Sequence, residues 1–204
     1  MSATNKIAFI IGNGTSRKNV NLKQLSSSGK TYGCNALYRD FPELDYLLAI
    51  DEGMLTVIKN VDFSETNTSV IIPPENERWE HSDYNPQRRR SNAGMCAMLE
   101  AIRHGSQMLY CLGFDFILDG ERSVDNMYSG TPHYDQPFAA NESDNSYRVK
   151  YLQWFVNQNS KVTFVMIIPD TAPVSKYIAE LGKLRNVIFI RTSTFLKKLK
   201  TAGE

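Results

Sequence analysis

The sequence is poor in cysteine, and its three cysteines, Cys34, Cys96 and Cys111, form neither a CxxC pair nor a zinc-binding pattern. Isolated thiols in an odd number argue against a disulfide framework and indicate buried cysteines in a reducing compartment. No stretch approaches the ~20 apolar residues of a membrane span, and the N-terminus has no long apolar leader. We therefore expect a cytoplasmic protein.

The sequence also lacks a strong net charge. A formal net charge of +1 gives no general attraction to nucleic acid or to membranes, so any recognition of an anion must be local. The 204 residues are 42% hydrophobic and 22% charged, which is typical of a globular protein of a length that one domain fills. We expect a single domain over residues 1–204, with no nucleic acid partner, and the sequence leaves a homo-oligomer open.

Short apolar segments alternate with amphipathic segments along the chain. Strands and helices in this alternation indicate a parallel sheet that is covered on both faces. The sequence therefore predicts an α/β fold, a single Rossmann-like domain with a mainly parallel sheet, helices on both faces and ligands at the carboxyl ends of the strands. The predicted strands are Ile7–Ile11, Thr31–Cys34, Tyr46–Ile50, Ser69–Ile72, Met108–Leu112, Val162–Ile168 and Val187–Ile190, and the predicted helices are Gly94–His104, Arg148–Asn157 and Val174–Leu184.

A glycine-rich turn directly follows the first predicted strand. Gly12 and Gly14 let the backbone turn sharply and approach a ligand, and the N–H groups of the turn, with the hydroxyls of Thr15 and Ser16, suit an anion. The turn lacks the third glycine of the dinucleotide fingerprint and the Gly-Lys-Ser/Thr ending of a Walker loop. It indicates a phosphate or nucleotide site, although an ordinary strand-to-loop connection has the same composition.

Two long polar segments without helical or strand periodicity interrupt this pattern, at residues 73–91 and 119–146. Loops of this length inside a domain are usually functional or disordered. We expect the second segment to form a lid over the site.

Four short segments occur in an order that is shared with a known family. The turn Gly12–Ser16 is followed by Cys34–Tyr38, then by Ser91–Met98, and then by Leu109–Phe116. In this order they resemble the bacterial sialyltransferases that modify lipooligosaccharide, and related Rossmann-like putative glycosyltransferases, which share Gly-Asn-Gly-Pro-Ser, Asn-x-x-Tyr, Ser-Gly and Gly-Phe/Ile-Asp-Phe elements. The resemblance covers most of residues 1–150.

The resemblance implies a nucleotide-sugar donor, most simply a CMP-linked sugar, and no required cofactor or metal. It implies that Asn13 and Asn35 hydrogen-bond the donor, and it places Asp51 where the sialyltransferases have a further donor-contacting asparagine. The pair Ala93-Gly94 stands at the family's Ser-Gly pair, so the serine hydroxyl is absent. With the glycine-rich turn, the expected donor-binding residues are Gly12, Asn13, Gly14, Thr15, Ser16, Asn35, Asp51, Ala93 and Gly94.

Arg90 corresponds to an active-site arginine of the family, and it ends a run of arginines just before a predicted helix. Cations beside a helix N-terminus attract a diphosphate or an acidic sugar, although a charge run is also typical of a solvated surface. Two family residues are missing. Ile117 stands where the family has a tyrosine that holds the leaving phosphate, and Asn141 and Glu142 lie nearest to the position of its catalytic histidine.

The second long segment offers substitutes for both missing groups. His133 is the one histidine in a plausible active-site loop, and the nearby Asp135 would fix its tautomer for general base catalysis. Tyr128 and Tyr134 would donate hydrogen bonds to phosphate. We therefore expect His133, Tyr128, Tyr134 and Arg90 to be the catalytic residues, and the alternative is a turn whose aromatic rings pack on the domain.

These observations predict a metal-independent, sialyltransferase-like glycosyltransferase that transfers a sugar from a nucleotide-sugar donor to a glycan hydroxyl. One alternative is a Mg²⁺-dependent pyrophosphokinase of the pterin type, in which Asp51, Asp115 and Asp119 would hold the metal. Another is a nucleotide-sugar binding protein without catalysis, because two family residues are missing. The basic segment Phe195–Lys200 allows at most peripheral contact with a membrane that carries the acceptor.

Overall fold

The computed structural model describes residues 6–74, 77, 91–118, 126–134 and 142–202. Seven strands of these residues form one sheet in which all neighbours are parallel. They are β1 (Ile7–Ile11), β2 (Lys30–Cys34), β3 (Tyr46–Leu48), β4 (Ser69–Ile71), β5 (Met108–Leu112), β6 (Thr163–Ile168) and β7 (Val187–Arg191). Their order across the sheet is β4-β3-β2-β1-β5-β6-β7, which confirms the predicted Rossmann-like sheet.

Helices connect these strands. The α-helices of the described residues are α1 (Glu52–Ile58), α2 (Ala93–Arg103), α3 (Glu142–Gln158), α4 (Lys176–Leu181) and α5 (Thr192–Ala202). Short 3-10 helices cover Thr15–Arg17, Leu22–Gln24, Asn35–Arg39 and Asp115–Ile117.

The central strand β1 shows how the sheet is covered. Successive side chains of a strand point to opposite faces, so Ala8 and Ile10 pack in one buried cluster and Phe9 and Ile11 in the other. The first cluster includes residues of α2, α3 and α4, and the second includes residues of α1 and α5. Helices therefore cover both faces, which accounts for the continuous apolar run of the central strand β1.

Two predicted helices have different bounds in the structure. Helix α3 begins at Glu142, within the segment that the sequence marks as a loop to residue 146, because its first turn is polar and carries no apolar periodicity. Helix α4 is shorter than predicted. It begins after Ser175, whose hydroxyl accepts a hydrogen bond from Ile178 N at 3.1 Å and so caps the helix.

The last helix packs its apolar residues on the domain. The ring of Phe195 is 1% exposed and lies 6.2 Å from the ring of Phe9 and 5.6 Å from that of Tyr110. Leu196 and Leu199 pack against the same cluster. The apolar residues of α5 therefore contribute to the core. Among the described residues, no helix combines the length and the apolar composition needed to cross a bilayer.

Asp45 joins the beginnings of β2 and β3. Its Oδ2 accepts hydrogen bonds from the backbone N and the Oγ1 of Thr31, both at 2.9 Å, and its Oδ1 pairs with Lys30 Nζ. Burial alone would raise the pKa of Asp45, but the hydrogen bonds from Lys30 and Thr31 outweigh burial and lower this pKa below its ordinary value. The ionised carboxylate is therefore the form that stabilises the fold.

Asp45→Asn is expected to lower the free energy of unfolding by about 1 kcal/mol at neutral pH, because the substitution removes the ion pair with Lys30. The expected effect is small, since solvent screens this partly exposed site. Because the pKa of Asp45 is lower in the folded than in the unfolded state, its carboxylate stabilises the fold at pH values above the unfolded pKa of about 3.9. This stabilisation is lost as the pH falls through the lower, folded-state pKa. The difference from the wild type should therefore close in acid. Thermal unfolding from pH 3 to 8 measures it, with exposed Glu65→Gln as the control. A difference that does not depend on pH would contradict the assignment.

Candidate functional site

The chain reverses its direction across the sheet between β1 and β5, and the carboxyl ends of these two strands form a crevice. Gly12 N donates to Leu112 O at 2.8 Å, and Gly14 N donates to Gly113 O at 3.0 Å. A Cβ added at Gly12 would lie 2.6 Å from Gly113 O, so only glycine permits this approach of the two backbones. Ligands of doubly wound sheets bind at such a reversal point.

A pocket of about 160 Å³ opens at this crevice. It is smaller than the ~300–1,000 Å³ of sites that enclose a complete small molecule, and it therefore fits part of a nucleotide. Its wall combines glycine backbone, amide side chains and aromatic rings. The described residues that line it are Gly12, Asn13, Cys34, Asn35, Asp51, Asn92, Ala93, Gly94, Gly113, Phe114, Phe116, Asn126 and Tyr134.

The glycine-rich turn is held by a carboxylate from the other side of the crevice. Asp115 accepts hydrogen bonds from Ser16 N at 2.9 Å, from Ser16 Oγ, and from Thr15 Oγ1 at 3.4 Å. Burial raises the pKa of Asp115, and the hydrogen bonds from Ser16 and Thr15 oppose this shift. The hydroxyls that the sequence offers to a phosphate are thus bonded to Asp115, and neither Thr15 nor Ser16 is in the pocket lining.

Arg17 also points away from the pocket. Its Nε donates to Gly12 O at 2.8 Å and its Nη2 donates to Tyr128 OH at 3.1 Å, while Tyr128 OH donates to Asp40 at 2.8 Å. Burial, the largest influence, raises the pKa of Tyr128. Arg17 and Tyr128 are both 4% exposed. The hydroxyl of Tyr128, a predicted catalytic residue, therefore lies in a buried link between Arg17 and Asp40, outside the pocket lining.

This link anchors the turn of residues 126–134 to the domain. Met127 N donates to Asn13 O at 2.8 Å, and Arg39 donates to Thr131 Oγ1 at 2.9 Å and to Pro132 O at 3.0 Å. Within this turn, Tyr134 is 6% exposed and lines the pocket. Burial raises its pKa. Residues 126–134 of the predicted lid are thus fastened at both ends, and residues 142–146 belong to helix α3. The other residues of the predicted lid, 119–125 and 135–141, lie outside the described residues.

Asn13, Asn35 and Asp51 meet in the pocket wall at the ends of β1, β2 and β3. Asn13 Nδ2 donates to Cys34 O at 3.1 Å, which fixes the orientation of the amide. Asn35 has a φ of 50°, and its Oδ1 accepts from Ile50 N at 3.3 Å while its Nδ2 donates to Asp51 Oδ2. Asparagine adopts this left-handed backbone more readily than most residues.

Helix α2 points its N-terminus into the same pocket. Asn92 caps the helix, because its Oδ1 accepts from Met95 N at 2.9 Å. Ala93 and Gly94 form the first turn and line the pocket. A Cβ at Gly94 would lie 2.9 Å from the ring of Phe114, so glycine lets this aromatic ring close the pocket wall. The helix N-terminus supplies partial positive charge for an anion.

His133 lies in the anchored turn but outside the pocket lining. It is exposed, has a φ of 68°, and its Nδ1 lies 3.7 Å from the position of a Cβ added at Gly53, in the first turn of α1. Gly53 is two residues from Asp51, so His133 stands on the Asp51 side of the pocket. Arg90, Asp135 and Asn141 fall outside the described residues.

Metal ligands do not converge in the described part of the chain, where no group of three or more His, Cys, Asp or Glu side chains could hold an ion. Asp51 lines the pocket, Asp115 holds the glycine-rich turn, and Asp119 lies outside the described residues. The three cysteines are buried thiols, as predicted, and burial raises the pKa of Cys34 to about 12.

Sequence reasoning missed part of the lining. Gly113, Phe114 and Phe116 belong to the segment that carries the family resemblance, so their place in the pocket could have been inferred from it. Asn92 could have been found as the cap of a predicted helix. Asn126 lies beside Gly14 in an antiparallel bridge that joins distant parts of the chain, and no local pattern marks it.

Comparisons with known proteins bear on the fold. No protein-family model matches the chain, and no curated protein matches it. The crystal structure of an α-2,3-sialyltransferase from Campylobacter jejuni in apo form matches it with a TM-score of 0.52 and 17% identity, over 100% of this chain and 97% of that one. The C. jejuni sialyltransferase CstII in complex with the substrate analogue CMP-3FNeuAc matches with a TM-score of 0.48 and 16% identity, over 96% of this chain and 98% of that one. The chain therefore has, over its whole length, the fold of the C. jejuni α-2,3-sialyltransferase, as the sequence motifs predict.

Proposed function

We propose that this protein is a sialyltransferase-like glycosyltransferase that takes a nucleotide-sugar donor, with CMP as its first candidate nucleotide, and transfers the sugar to a glycan hydroxyl. The observation that carries the proposal is the pocket at the β1 and β5 ends, where Asn13, Asn35 and the N-terminus of α2 converge. These are the donor-binding positions implied by the family motifs, and they lie together although the sequence separates them.

Different parts of the pocket suit different chemical groups of such a donor. The N–H groups of Ala93 and Gly94 begin helix α2, and a helix N-terminus suits a phosphate. Asn13 Oδ1 is buried, and no described group donates a hydrogen bond to it. An acceptor in this state suits a ligand hydroxyl or amino group, because an unsatisfied buried polar atom costs about 1–3 kcal/mol.

Catalysis of this transfer needs a general base for the acceptor hydroxyl and a donor to the leaving phosphate. We assign the base to His133, which stands on the Asp51 side of the pocket, and the phosphate contacts to Tyr134 and Arg90. Tyr128 acts through the anchored turn, since its hydroxyl holds this turn to Arg17 and Asp40.

Asn13→Ala is expected to weaken nucleotide binding about tenfold, because it removes a pocket amide that has a hydrogen-bonding atom available to the ligand. Isothermal titration calorimetry with CMP, UMP, GMP, AMP and ATP, with and without Mg²⁺, measures the effect. Exposed Asn67→Ala is the matched control, and thermal unfolding checks that both variants are folded.

The outcomes separate the candidate functions. Binding of one nucleotide without Mg²⁺, weakened in Asn13→Ala alone, supports the glycosyltransferase. Binding of ATP that requires Mg²⁺ would favour a pyrophosphokinase, and a donor that binds but is neither hydrolysed nor transferred would favour a binding protein. Unchanged affinity in folded Asn13→Ala would remove Asn13 from the site.

A further inference from the structure

The anchored turn ends in a tight reversal that carries His133. Tyr134 N donates to Thr131 O at 2.8 Å, so Thr131–Tyr134 form a β-turn with Pro132 and His133 at its centre. His133 has a φ of 68°. The proline ring excludes the turn types that need a positive φ at the second position, and the positive φ at the third position leaves a type II turn.

The orientation of one peptide group distinguishes this turn from its common alternative. In type I and type II turns the central peptide, here the one that joins Pro132 to His133, points its carbonyl to opposite sides. A residue other than glycine is strained at a positive φ, whereas a type I turn would give His133 a relaxed φ of about −90°. A contact that fixes Pro132 O therefore decides where the side chain of His133 points.

Arg39 makes this contact. Its Nη2 donates to Pro132 O at 3.0 Å, and its Nη1 donates to Thr131 Oγ1 at 2.9 Å. A guanidinium group presents its donors in a rigid planar fork, so the two hydrogen bonds fix the central peptide relative to the residue before it. The Thr131 hydroxyl in turn donates to Tyr128 O at 2.7 Å, which extends the contact into the anchored turn.

Arg39 is held in place by the domain. It ends the 3-10 helix Asn35–Arg39, which begins in the pocket wall because Asn35 lines the pocket. Its Cζ lies 5.9 Å from the centre of the Tyr128 ring, and the Cζ of Arg17 lies 6.0 Å from the same centre. Attraction between a guanidinium group and an aromatic ring stabilises both contacts. Arg39 therefore joins the pocket wall to the β-turn that carries the proposed base.

We propose that Arg39 is a positioning residue that fixes the Pro132–His133 peptide and thereby holds the His133 imidazole beside Gly53, on the Asp51 side of the pocket. This assignment rests on the proposed function, in which His133 is the general base. Arg39 takes no part in the proton transfer itself. Without its two hydrogen bonds the β-turn adopts the alternative orientation for much of the time, and the base is then displaced.

Arg39→Gln is expected to lower kcat about 10–100-fold, because a displaced catalytic group loses much of its contribution to the rate. Nucleotide affinity, measured by calorimetry, should stay within about twofold, since the donor-binding residues are unchanged. Arg39→Lys keeps the charge but lacks the planar fork, so its kcat should fall between those of Arg39→Gln and the wild type. Exposed Arg185→Gln is the matched control and should keep the wild-type kcat.

A double-mutant cycle separates positioning from general damage to the structure. If Arg39 acts through His133, its substitution has nothing left to displace once the imidazole is gone. The kcat of the double variant Arg39→Gln, His133→Asn should then lie within about twofold of that of His133→Asn. Losses that multiply in the double variant would show that Arg39 affects the reaction by another route.

The ring C–H signals of the three histidines in an NMR spectrum test the placement of His133 without a substrate. The signal that is lost in His133→Asn belongs to His133. In Arg39→Gln this signal should shift or broaden, whereas the signal of His104, which bonds Tyr32 OH, should stay where it is.

Each outcome supports or overturns the inference. A wild-type kcat in folded Arg39→Gln, losses that multiply in the double variant, or an unchanged His133 signal overturns it and leaves the proposed glycosyltransferase standing. Wild-type turnover in folded His133→Asn overturns the assignment of the base, and the inference with it. Failure of the wild type to bind any nucleotide or nucleotide sugar overturns the proposed function as a whole.

Discussion

Gly113→Ala is expected to lower the free energy of unfolding by about 3 kcal/mol, which corresponds to a fall of roughly 6–12 °C in the thermal midpoint of a chain of this size. Gly113 has a φ of 70°, where a side chain is strained. Its added Cβ would also lie 2.6 Å from Gly12 O and 3.1 Å from Gly14 N, which are backbone atoms that cannot rotate away. Because these atoms form the crevice, nucleotide binding should weaken as well.

Gly105→Ala separates backbone strain from this close approach. Gly105 has a φ of 89°, but an added Cβ there meets nothing within 4 Å. Its substitution should therefore cost about 1 kcal/mol and leave nucleotide affinity unchanged. If thermal unfolding gives the two variants the same midpoint, the ends of β1 and β5 do not approach as closely as described.

The strands could be predicted because each leaves a local signal in the sequence. Ile7–Ile11 and Met108–Leu112 are continuous apolar runs, and both appear as strands with the predicted bounds. Helix α1 was not predicted, since its seven residues bury only Met54 and Ile58 and are too few for a periodic pattern. The strand order arises from contacts across the whole domain, and no single segment encodes it.

The residue types at the candidate site could be predicted, but the direction in which side chains point could not. Thr15, Ser16 and Arg17 follow the glycines and suit an anion in the sequence. In the structure, the Asp115 carboxylate accepts hydrogen bonds from both hydroxyls, and Tyr128 OH accepts one from the Arg17 guanidinium. These partners are about a hundred residues away along the chain, so local chemistry cannot reveal that they satisfy the turn.

For Asp51, the sequence motif identified the position but did not reveal the contacts of the side chain. The resemblance marks it as a donor contact, while its charge sets it apart from an asparagine. Only the structure shows that it lines the pocket with Asn13 and Asn35, and that Asn35 Nδ2 donates a hydrogen bond to its Oδ2. The role of this position therefore depends on neighbours that the fold brings to it.

His133→Asn is expected to lower turnover of the donor onto its acceptor by about 10²–10⁴-fold, the usual contribution of a general base, while nucleotide affinity stays within about twofold. Asparagine tests the role of the imidazole better than alanine does, because His133 has a φ of 68° and asparagine tolerates this backbone conformation but is not a base. The fold and the pocket should therefore be retained.

The control for this variant is His104→Gln at the end of α2, where the imidazole bonds Tyr32 OH at 2.9 Å, far along the helix from the pocket. It should keep wild-type turnover, whereas exogenous imidazole should restore part of the activity of His133→Asn, because a small base can occupy the space of the lost ring. Wild-type turnover in folded His133→Asn would make His133 a structural residue of the anchored turn. Glu142, which lies near the position of the family's catalytic histidine, would then become the candidate base to be tested next.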